Sequence, residues 1–530
     1  MFEGLLVLGV LIGSLSPLLT FARLFQMKEW RLDRLGEHLR REGWIRSLGG
    51  PIRAALIVLY AAFLAYGAYA VVRTSGGGPS FIIVIGFLPL LPWLLGIPVA
   101  MTIGQVALNK QRLPIWTAKS LLIVFTAVLI NVVIAWWCMF QIRVFLTPLI
   151  PLLQPLVVCM AWLLWRPVDT LMKNRLLSKA TARRATLKDA TVIGIVGSVG
   201  KTTTKELLKC VLQDLHPIAT PDHVNTELGV ASWLLKTITQ DDVRAWRAAP
   251  QQAIPLLIVE MGAYRKGEIA TLCRVAQPTI GVVTALGSDH LALFGSEEAI
   301  VDANAEILHA LPKDGHAFFL SDNSASTGLK DRAPCAVTLA GSADATVIHT
   351  DRGLTLESDG TRFAVALHGA HNAGNAMLAV AVARHMGIAD ERIRELLAGY
   401  RGSAHTFHLK KERGILVMDD TYNVSPLSFK AALDWAKDRD ERPRVLLTSG
   451  LLETGADEKR FLKELGAAAN KSAERVVFTT EAGRSAFAEG LGKDVELLSP
   501  STPPVDDDGL LLCVGRMPQA TLRRLLPRER

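Results

Sequence analysis

The amino-acid sequence predicts a membrane α-helical N-terminal domain followed by an α/β part, and three observations carry that prediction. Long uncharged apolar runs crowd before about residue 165. From about residue 190, short apolar runs alternate with helix-forming stretches. At the start of that second regime, residues 194–204 read Gly-Ile-Val-Gly-Ser-Val-Gly-Lys-Thr-Thr-Thr.

The first observation gives the membrane part. Half of the 530 residues are hydrophobic, and mean hydropathy is +0.28. Five runs, 5–22, 54–72, 81–103, 121–140 and 145–165, approach the length that crosses a bilayer. Prolines at 89, 92, 98, 148, 151 and 155 predict interrupted third and fifth spans. Neither a basic leader nor a cleavage site marks the first run as a signal peptide, so it counts as a retained span. Arg and Lys gather between spans one and two, between three and four, and from Arg166 to Arg184; the other loops carry only Arg73 and Arg143. The positive-inside rule then puts the N-terminus outside and everything after residue 165 in the cytoplasm. The expected location is the cytoplasmic membrane, with the lipid bilayer as partner.

Residues 26–48 mix Trp30, Leu32, Leu35, Leu39, Trp44 and Ile45 with basic residues and predict an amphipathic helix in the headgroup region. Anionic lipid then accounts for the net charge of +8, so no nucleic acid is called for. A patch for a polyanionic substrate is the other reading of that charge. Six cysteines without paired spacing argue for reduced thiols rather than disulfides or zinc.

The second observation gives the α/β part. Strands are predicted at 192–196, 256–261, 280–285 and 317–320, then a β-rich patch at 337–367 and a helix at 372–386. A second unit follows: strand 415–418, helix 426–436, strand 444–447, helix 458–470 and strand 476–479.

The third observation is the most specific. The apolar run 190–196 enters a glycine turn and a helical stretch, 205–212, leaves it, the context of a phosphate-binding loop. Gly197 and Gly200 let backbone approach an anion, and Ser198, Val199 and Thr203 complete the cradle. Lys201 reaches the β/γ-phosphates, and the Thr202 hydroxyl ligates Mg²⁺. The ligand class is a nucleoside triphosphate, with ATP and Mg²⁺ as cofactors.

Other candidates are weaker alone. Glu260 ends a buried-type strand, where a carboxylate is either a Mg²⁺ ligand or a solvated acid. His290 follows the next strand and is either a site residue or part of a turn. Asn372 and Asn375 open a helix, as caps or as amides facing a base. Asp419, Asp420, Tyr422 and Asn423 follow a strand, as a turn or as groups that orient a nucleotide or amine.

Their order is what narrows the reading. Gly197-Ser-Val-Gly-Lys-Thr-Thr-Thr-Lys-Glu206, Asn225-Thr-Glu-Leu-Gly229, Val259-Glu-Met-Gly-Ala263, Asp289-His-Leu, Gly369-Ala-His-Asn-Ala-Gly-Asn375 and Asp419-Asp-Thr-Tyr-Asn423 occur in series. From about residue 190 to the end, the chain resembles the Mur ligase family, most closely its D-alanyl-D-alanine-adding type. The resemblance implies a P-loop central domain and a Rossmann-like C-terminal domain, and an ATP-dependent ligase that primes a carboxylate as an acyl phosphate for an amine. It implies that Lys201, Glu260 and His290 are catalytic, that Thr202, Glu260 and His290 hold metal, and that Asn372, Asn375, Asp420 and Asn423 contact nucleotide or substrate.

Three departures from the family pattern matter. Membrane spans stand where soluble members carry a UDP-sugar-binding domain, which points to a lipid-linked or polymeric envelope substrate. Asn304 stands where the family has a carbamylated lysine, with Asp302 and Glu306 beside it. Ser403-Ala404 replaces a Gly-Arg, leaving Arg401 displaced. The expected organisation is a transmembrane domain at 1–170, a basic cytoplasmic linker at 171–189, an ATP-binding domain at 190–400 and a C-terminal domain at 401–530. Such a chain is a membrane-anchored amide-bond ligase; the alternative is a catalytically impaired ATP-binding scaffold.

Overall fold

The computed structural model describes residues 2–43, 52, 54–62, 65, 91–140, 146–187, 189–239, 242, 255–350, 352–402, 407–421, 424–451, 454–506 and 508–526. They form two compact units, Met1–Met172 and Lys173–Arg530.

The first unit is helical. Among its described residues, Gly4–Met27, Ala118–Phe140 and Gln154–Ala185 are long and apolar enough to cross a membrane, the last running on into the second unit, and Leu94–Ala107 is a shorter apolar helix. The expected spans 54–72 and 81–103 lie partly outside the described residues. The expected fifth span is broken: a short helix, Leu149–Leu152, ends before Gln154–Ala185 begins. Pro151 and Pro155 flank the break, and neither has an N–H to carry a helix ladder across it. Phe25, Trp30, Ile123, Val158 and Trp162 form the core. Asn131 and Gln154 are buried and exchange amide hydrogen bonds of 3.1 and 3.0 Å. Each thereby satisfies the other's polar end away from water.

The helix predicted within 26–48 spans Leu32–Glu42. Leu35 and Leu39 join Trp30 in the core of this unit, so protein covers much of the apolar face expected to lie among headgroups. Outward-facing apolar side chains sit instead on Ala118–Phe140, including Phe125, Trp136 and Phe140.

In the second unit, β1 (Thr191–Val196), β2 (Ile218–Ala219), β3 (Leu256–Glu260), β4 (Ile280–Val283), β5 (His316–Leu320) and β6 (Ala336–Ala340) form one sheet in the order β2-β3-β1-β4-β5-β6. Every pairing in it is parallel. Alternate residues face two cores: Ile193, Ile195 and Ile258 pack towards helices Lys201–Val211 and His371–His385. Val192, Val196 and Leu257 pack towards helices Glu227–Thr237, Glu268–Ala276 and Glu297–Ala310. Covered faces on both sides explain the unbroken apolar strands.

The β-rich patch predicted at 337–367 divides in two. Its first part is β6; the rest is an antiparallel meander of β7 (Thr346–Thr350), β8 (Gly353–Ser358) and β9 (Thr361–Val365). Leu354, Leu356, Phe363 and Val365 attach the meander to the first core.

A second sheet has β10 (His408–Glu412), β11 (Ile415–Asp420), β12 (Arg444–Thr448), β13 (Arg475–Phe478), β14 (Glu496–Leu497) and β15 (Leu510–Val514) in the order β10-β11-β15-β12-β13-β14. Only the β10–β11 pairing is antiparallel. The helix Pro426–Lys437 starts on a capping box, with the Ser425 hydroxyl accepting from the Ser428 N–H and Pro426 in the first turn.

Residues 171–185, expected in a basic linker, continue the helix Gln154–Ala185. Arg184 is no solvent charge there: it is buried and donates to the carbonyls of Leu187, Ala190, Ala276 and Gln277.

Candidate functional site

The strand order decides where the site lies. β1 sits between β3 and β4, so their C-terminal ends open side by side, where parallel sheets take ligands. The phosphate loop leaves β1, Glu260 ends β3, and the loop bearing His290 leaves β4.

The loop's shape requires its glycines. Gly197 and Gly200 have φ of +142° and +92°, a region costly for side chains. A Cβ on Gly197 would run into the Thr284 side chain, and one on Gly200 would lie 2.5 Å from Asn375 Oδ1. Gly200 is the N-cap of the helix Lys201–Val211, which begins four residues before the expected 205. The first-turn N–H groups of a helix have no partner within it, and such an end favours an anion.

The phosphate loop and the His290 loop are laced together. Ser198 N and Val199 N donate to the Ala285 carbonyl at 2.8 and 3.0 Å. The Ser198 hydroxyl bridges the Gly287 N–H and carbonyl at 3.1 Å each. Thr284 Oγ1 donates to Val199 O at 2.8 Å. Asn323, from beyond β5, holds the Leu286 N–H and carbonyl at 3.1 and 3.0 Å. The Ser198 side chain, expected at the nucleotide, is thus engaged with Gly287.

The metal donors expected from sequence meet in part. Thr202 Oγ1 lies 3.1 Å from both carboxylate oxygens of Glu260. Asn225 Nδ2 donates to Glu260 Oε1 at 3.2 Å, and Glu260 N donates to Thr220 Oγ1 at 3.0 Å. A hydroxyl beside a fixed carboxylate is a hard-oxygen set suited to Mg²⁺. Lys201 Nζ reaches back to the carbonyls of Gly197 and Ser198 at 2.5 and 2.9 Å, which places an ammonium on the loop itself. His290 takes a left-handed conformation with φ of 57°, its ring 4.4 Å from that of Tyr264 and its Nε2 3.6 Å from Asp289 Oδ2.

Lys205 was not singled out in the sequence. It is wholly buried, with Nζ 3.2 Å from Glu206 and from Asp222 and 3.7 Å from Glu260 Oε2. Burial pulls its ammonium down, but Glu260, Glu206 and Asp222 outweigh that and hold it above the ordinary lysine value. Its position in Lys-Thr-Thr-Thr-Lys-Glu, one helical turn past Lys201, was the available signal.

Asn372 and Asn375 are buried in the helix His371–His385. Asn372 Nδ2 donates to His368 O, and Asn375 Nδ2 to Asn372 Oδ1. Asn375 Oδ1 is left buried without a partner, beside Gly200. Such an orphan acceptor against a phosphate loop is what an incoming donor group would satisfy.

Asp420 ends β11, buried, and accepts from Phe407 N at 3.3 Å. Burial pushes its carboxyl up to about 7; the Phe407 N–H opposes this and neighbouring Asp419 adds to it. The Phe407 ring meets that of His371, 5.1 Å away, so the second sheet reaches the start of the Asn372 helix. His371 is partly exposed, but its Nδ1 is buried, and loss of solvent around the ring drives its imidazole down to about 4. Asn423, Tyr422, Ser403 and Ala404 lie outside the described residues.

The groups near Asn304 are already engaged. Asn304 is buried in the helix Glu297–Ala310, its Nδ2 donating to Ile300 O at 2.8 Å. Asp302 pairs with Arg332 at 2.9 Å. Glu306 accepts from Gly267 N and Ala270 N, at the start of the helix Glu268–Ala276. Arg401 donates to the Ala398 carbonyl, at the end of the helix Asp390–Ala398.

Comparison with known proteins agrees with this geometry. The Mur ligase middle domain matches residues 195–383, and the Mur ligase, glutamate ligase domain matches 407–507. The UDP-N-acetylmuramoyl-tripeptide--D-alanyl-D-alanine ligase of Bacillus subtilis (strain 168) is 31% identical over 343 residues, which cover 62% of this chain and 70% of that one. The enzyme of that name from Mycobacterium tuberculosis (strain ATCC 25618 / H37Rv) is 32% identical over 285 residues; the chain spans only 53% of its length, and the match takes in 51% of this chain. Among solved structures, MurF from Acinetobacter baumannii superposes with a TM-score of 0.59 at 22% identity, covering 67% of this chain and 80% of that one. MurF ligase from Thermotoga maritima in complex with ADP gives 0.54 at 22%, covering 66% and 82%. At that identity the structures establish the fold.

Proposed function

The chain belongs to the Mur ligase family of ATP-dependent ligases, and we propose that it is a membrane-anchored member that joins an amino acid or peptide to a carboxylate of a cell-envelope or poly(amino acid) precursor. The observation that carries the reading is the contact of Thr202 with Glu260 at the mouth of a loop whose glycines admit no Cβ. A triphosphate suits such a loop: the N–H groups of the first helical turn would face the anion, the Lys201 ammonium would turn to it from the loop carbonyls, and two oxygen donors would take Mg²⁺.

The chemistry follows from charge. A carboxylate is a poor electrophile; when its oxygen bonds to the γ-phosphorus, the bond to the β-phosphate oxygen breaks and ADP leaves, and Lys201 with a metal that Thr202, Glu260 and His290 would hold would offset the negative charge gathered there. The resulting acyl phosphate carries a leaving group. The amine then adds to the carbonyl carbon and gives up a proton to water, the C–N bond forms, and phosphate departs with the C–O bonding electrons. Asn372 and Asn375 would meet the base, and Asp420 and Asn423 would serve nucleotide or substrate from the C-terminal part.

Three helices of membrane-crossing length support anchoring. The basic loops favour a cytoplasmic ligase part acting on a lipid-linked or membrane-proximal substrate. A second reading, an ATP-binding scaffold with impaired turnover, draws support from Asn304, Asp302 and Glu306, all committed to protein contacts.

Phosphate release by the full chain in detergent, with membrane-extracted acceptors and candidate amino acids, tests the proposal. Release that depends on both acceptor and amine and disappears in Lys201→Ala supports the ligase. Tight ATP binding with no release above that of Lys201→Ala leaves the scaffold.

A further inference from the structure

We infer that Lys205 is the residue that makes metal binding depend on nucleotide. The inference rests on the assignment of Thr202 and Glu260 as metal donors. Among the described residues, Glu260 is the one carboxylate in contact with Thr202, and Lys205 Nζ stands 3.7 Å from its Oε2. That ammonium is wholly buried, on the first helix of the phosphate loop, so solvent screens it little.

Its two other partners do not cancel it at the metal. Asp222 is largely exposed, with 72% of its side-chain surface in water, and Glu206 is partly so. Lys201 adds a second ammonium on the loop carbonyls. A divalent cation alone would therefore approach one carboxylate already faced by a buried positive charge. A triphosphate reverses that balance by bringing several negative charges with it. Meanwhile Thr202 and Asn225 keep Glu260 in place whether or not Lys205 is charged. Lys205 is thus a positioning and charge-setting residue, acting on the metal through Glu260.

The test is Mn²⁺ binding to the full-length protein in detergent, followed by electron paramagnetic resonance with and without a non-hydrolysable ATP analogue. Lys205→Met removes the charge and keeps the bulk; Lys205→Gln retains a donor for Asp222; Lys205→Arg keeps the charge. Met and Gln should bind free Mn²⁺ about tenfold tighter than wild type, the size of a one-unit electrostatic shift. With the analogue present that gain should shrink, and Arg should behave as wild type throughout. If Met and Gln bind free Mn²⁺ no tighter than wild type while Glu260→Gln loses Mn²⁺ in the nucleotide complex, the role of Lys205 is overturned and the metal site stands. If Glu260→Gln binds as wild type in that complex, the metal assignment itself fails.

Discussion

Gly200 and Asn375 are packed so closely that a single methyl group on the glycine would sit 2.5 Å from the asparagine's Oδ1. One residue opens the helix of the phosphate loop; the other comes from the helix His371–His385, far along the chain. Gly200→Ala should therefore do two things at once: strain a left-handed backbone and push Asn375 aside. We expect ATP affinity to fall about a hundredfold, since a strained φ and a displaced amide each cost roughly 1–3 kcal/mol. Fluorescent-nucleotide titration checks this, and near wild-type affinity would contradict it.

Asn323 holds both backbone groups of Leu286 and caps the short helix Ser324–Thr327. Asn323→Ala should lower stability by about 1–2 kcal/mol, the range for a lost cap with buried polar groups left unpaired. Nucleotide affinity should drop several-fold, because Ala285 and Gly287 anchor the phosphate loop. Thermal unfolding and nucleotide titration of the same samples separate the two effects.

Asp420 predicts a pH dependence of definite sign. Its folded carboxyl titrates near 7, above about 3.9 for an unfolded aspartate. Between those values the folded state holds the extra proton, so stability falls as pH rises from about 4 towards 7 and levels off above. The slope should approach about 1.4 kcal/mol per pH unit at its steepest. Asp420→Asn should remove this component. Denaturant melts of wild type and variant at several pH values would reveal it, and parallel pH profiles would contradict it.

Asn131 and Gln154 give a prediction for the helical unit. Replacing Asn131 alone by Leu leaves the Gln154 amide buried with one partner fewer, at a cost of about 1–2 kcal/mol. Replacing both by Leu should recover most of that loss, because no polar group is then stranded. Thermal melts of the detergent-solubilised full chain compare the single and double variants. Equal melting temperatures for the two would show that the pair is not coupled.

What the sequence made legible was whatever local pattern encodes. The glycines, Lys201 and Thr202 point to a phosphate loop by spacing, and Glu260 could be placed beside Thr202 because parallel strands deliver their ends to one edge, whereas His290 contacts Tyr264 and Asp289. The true start of the helix at Lys201 was hidden by three consecutive β-branched threonines, whose weak helix propensity gave way to the glycine cap and tertiary packing. Lys205 was illegible for a different reason: a lysine on a helix ordinarily reads as a solvated charge, and only the fold brings Glu260 and Asp222 around it. Asn323 and Phe407 likewise act through neighbours distant in sequence. In the helical unit, Pro151 and Pro155 pointed to an interruption, and the chain does break between them.

The lacing of Ser198 and Val199 to Ala285 and Gly287 has a consequence for inheritance and for protein engineering. Two stretches separated by more than eighty positions behave as a single cassette: a graft of one from a distant homologue would arrive without the carbonyls and amides it is cut to fit. Chimeras that exchange 194–204 together with 284–290 should keep nucleotide recognition where exchanges of either alone lose it, and drift at one stretch should leave a matching trace at the other.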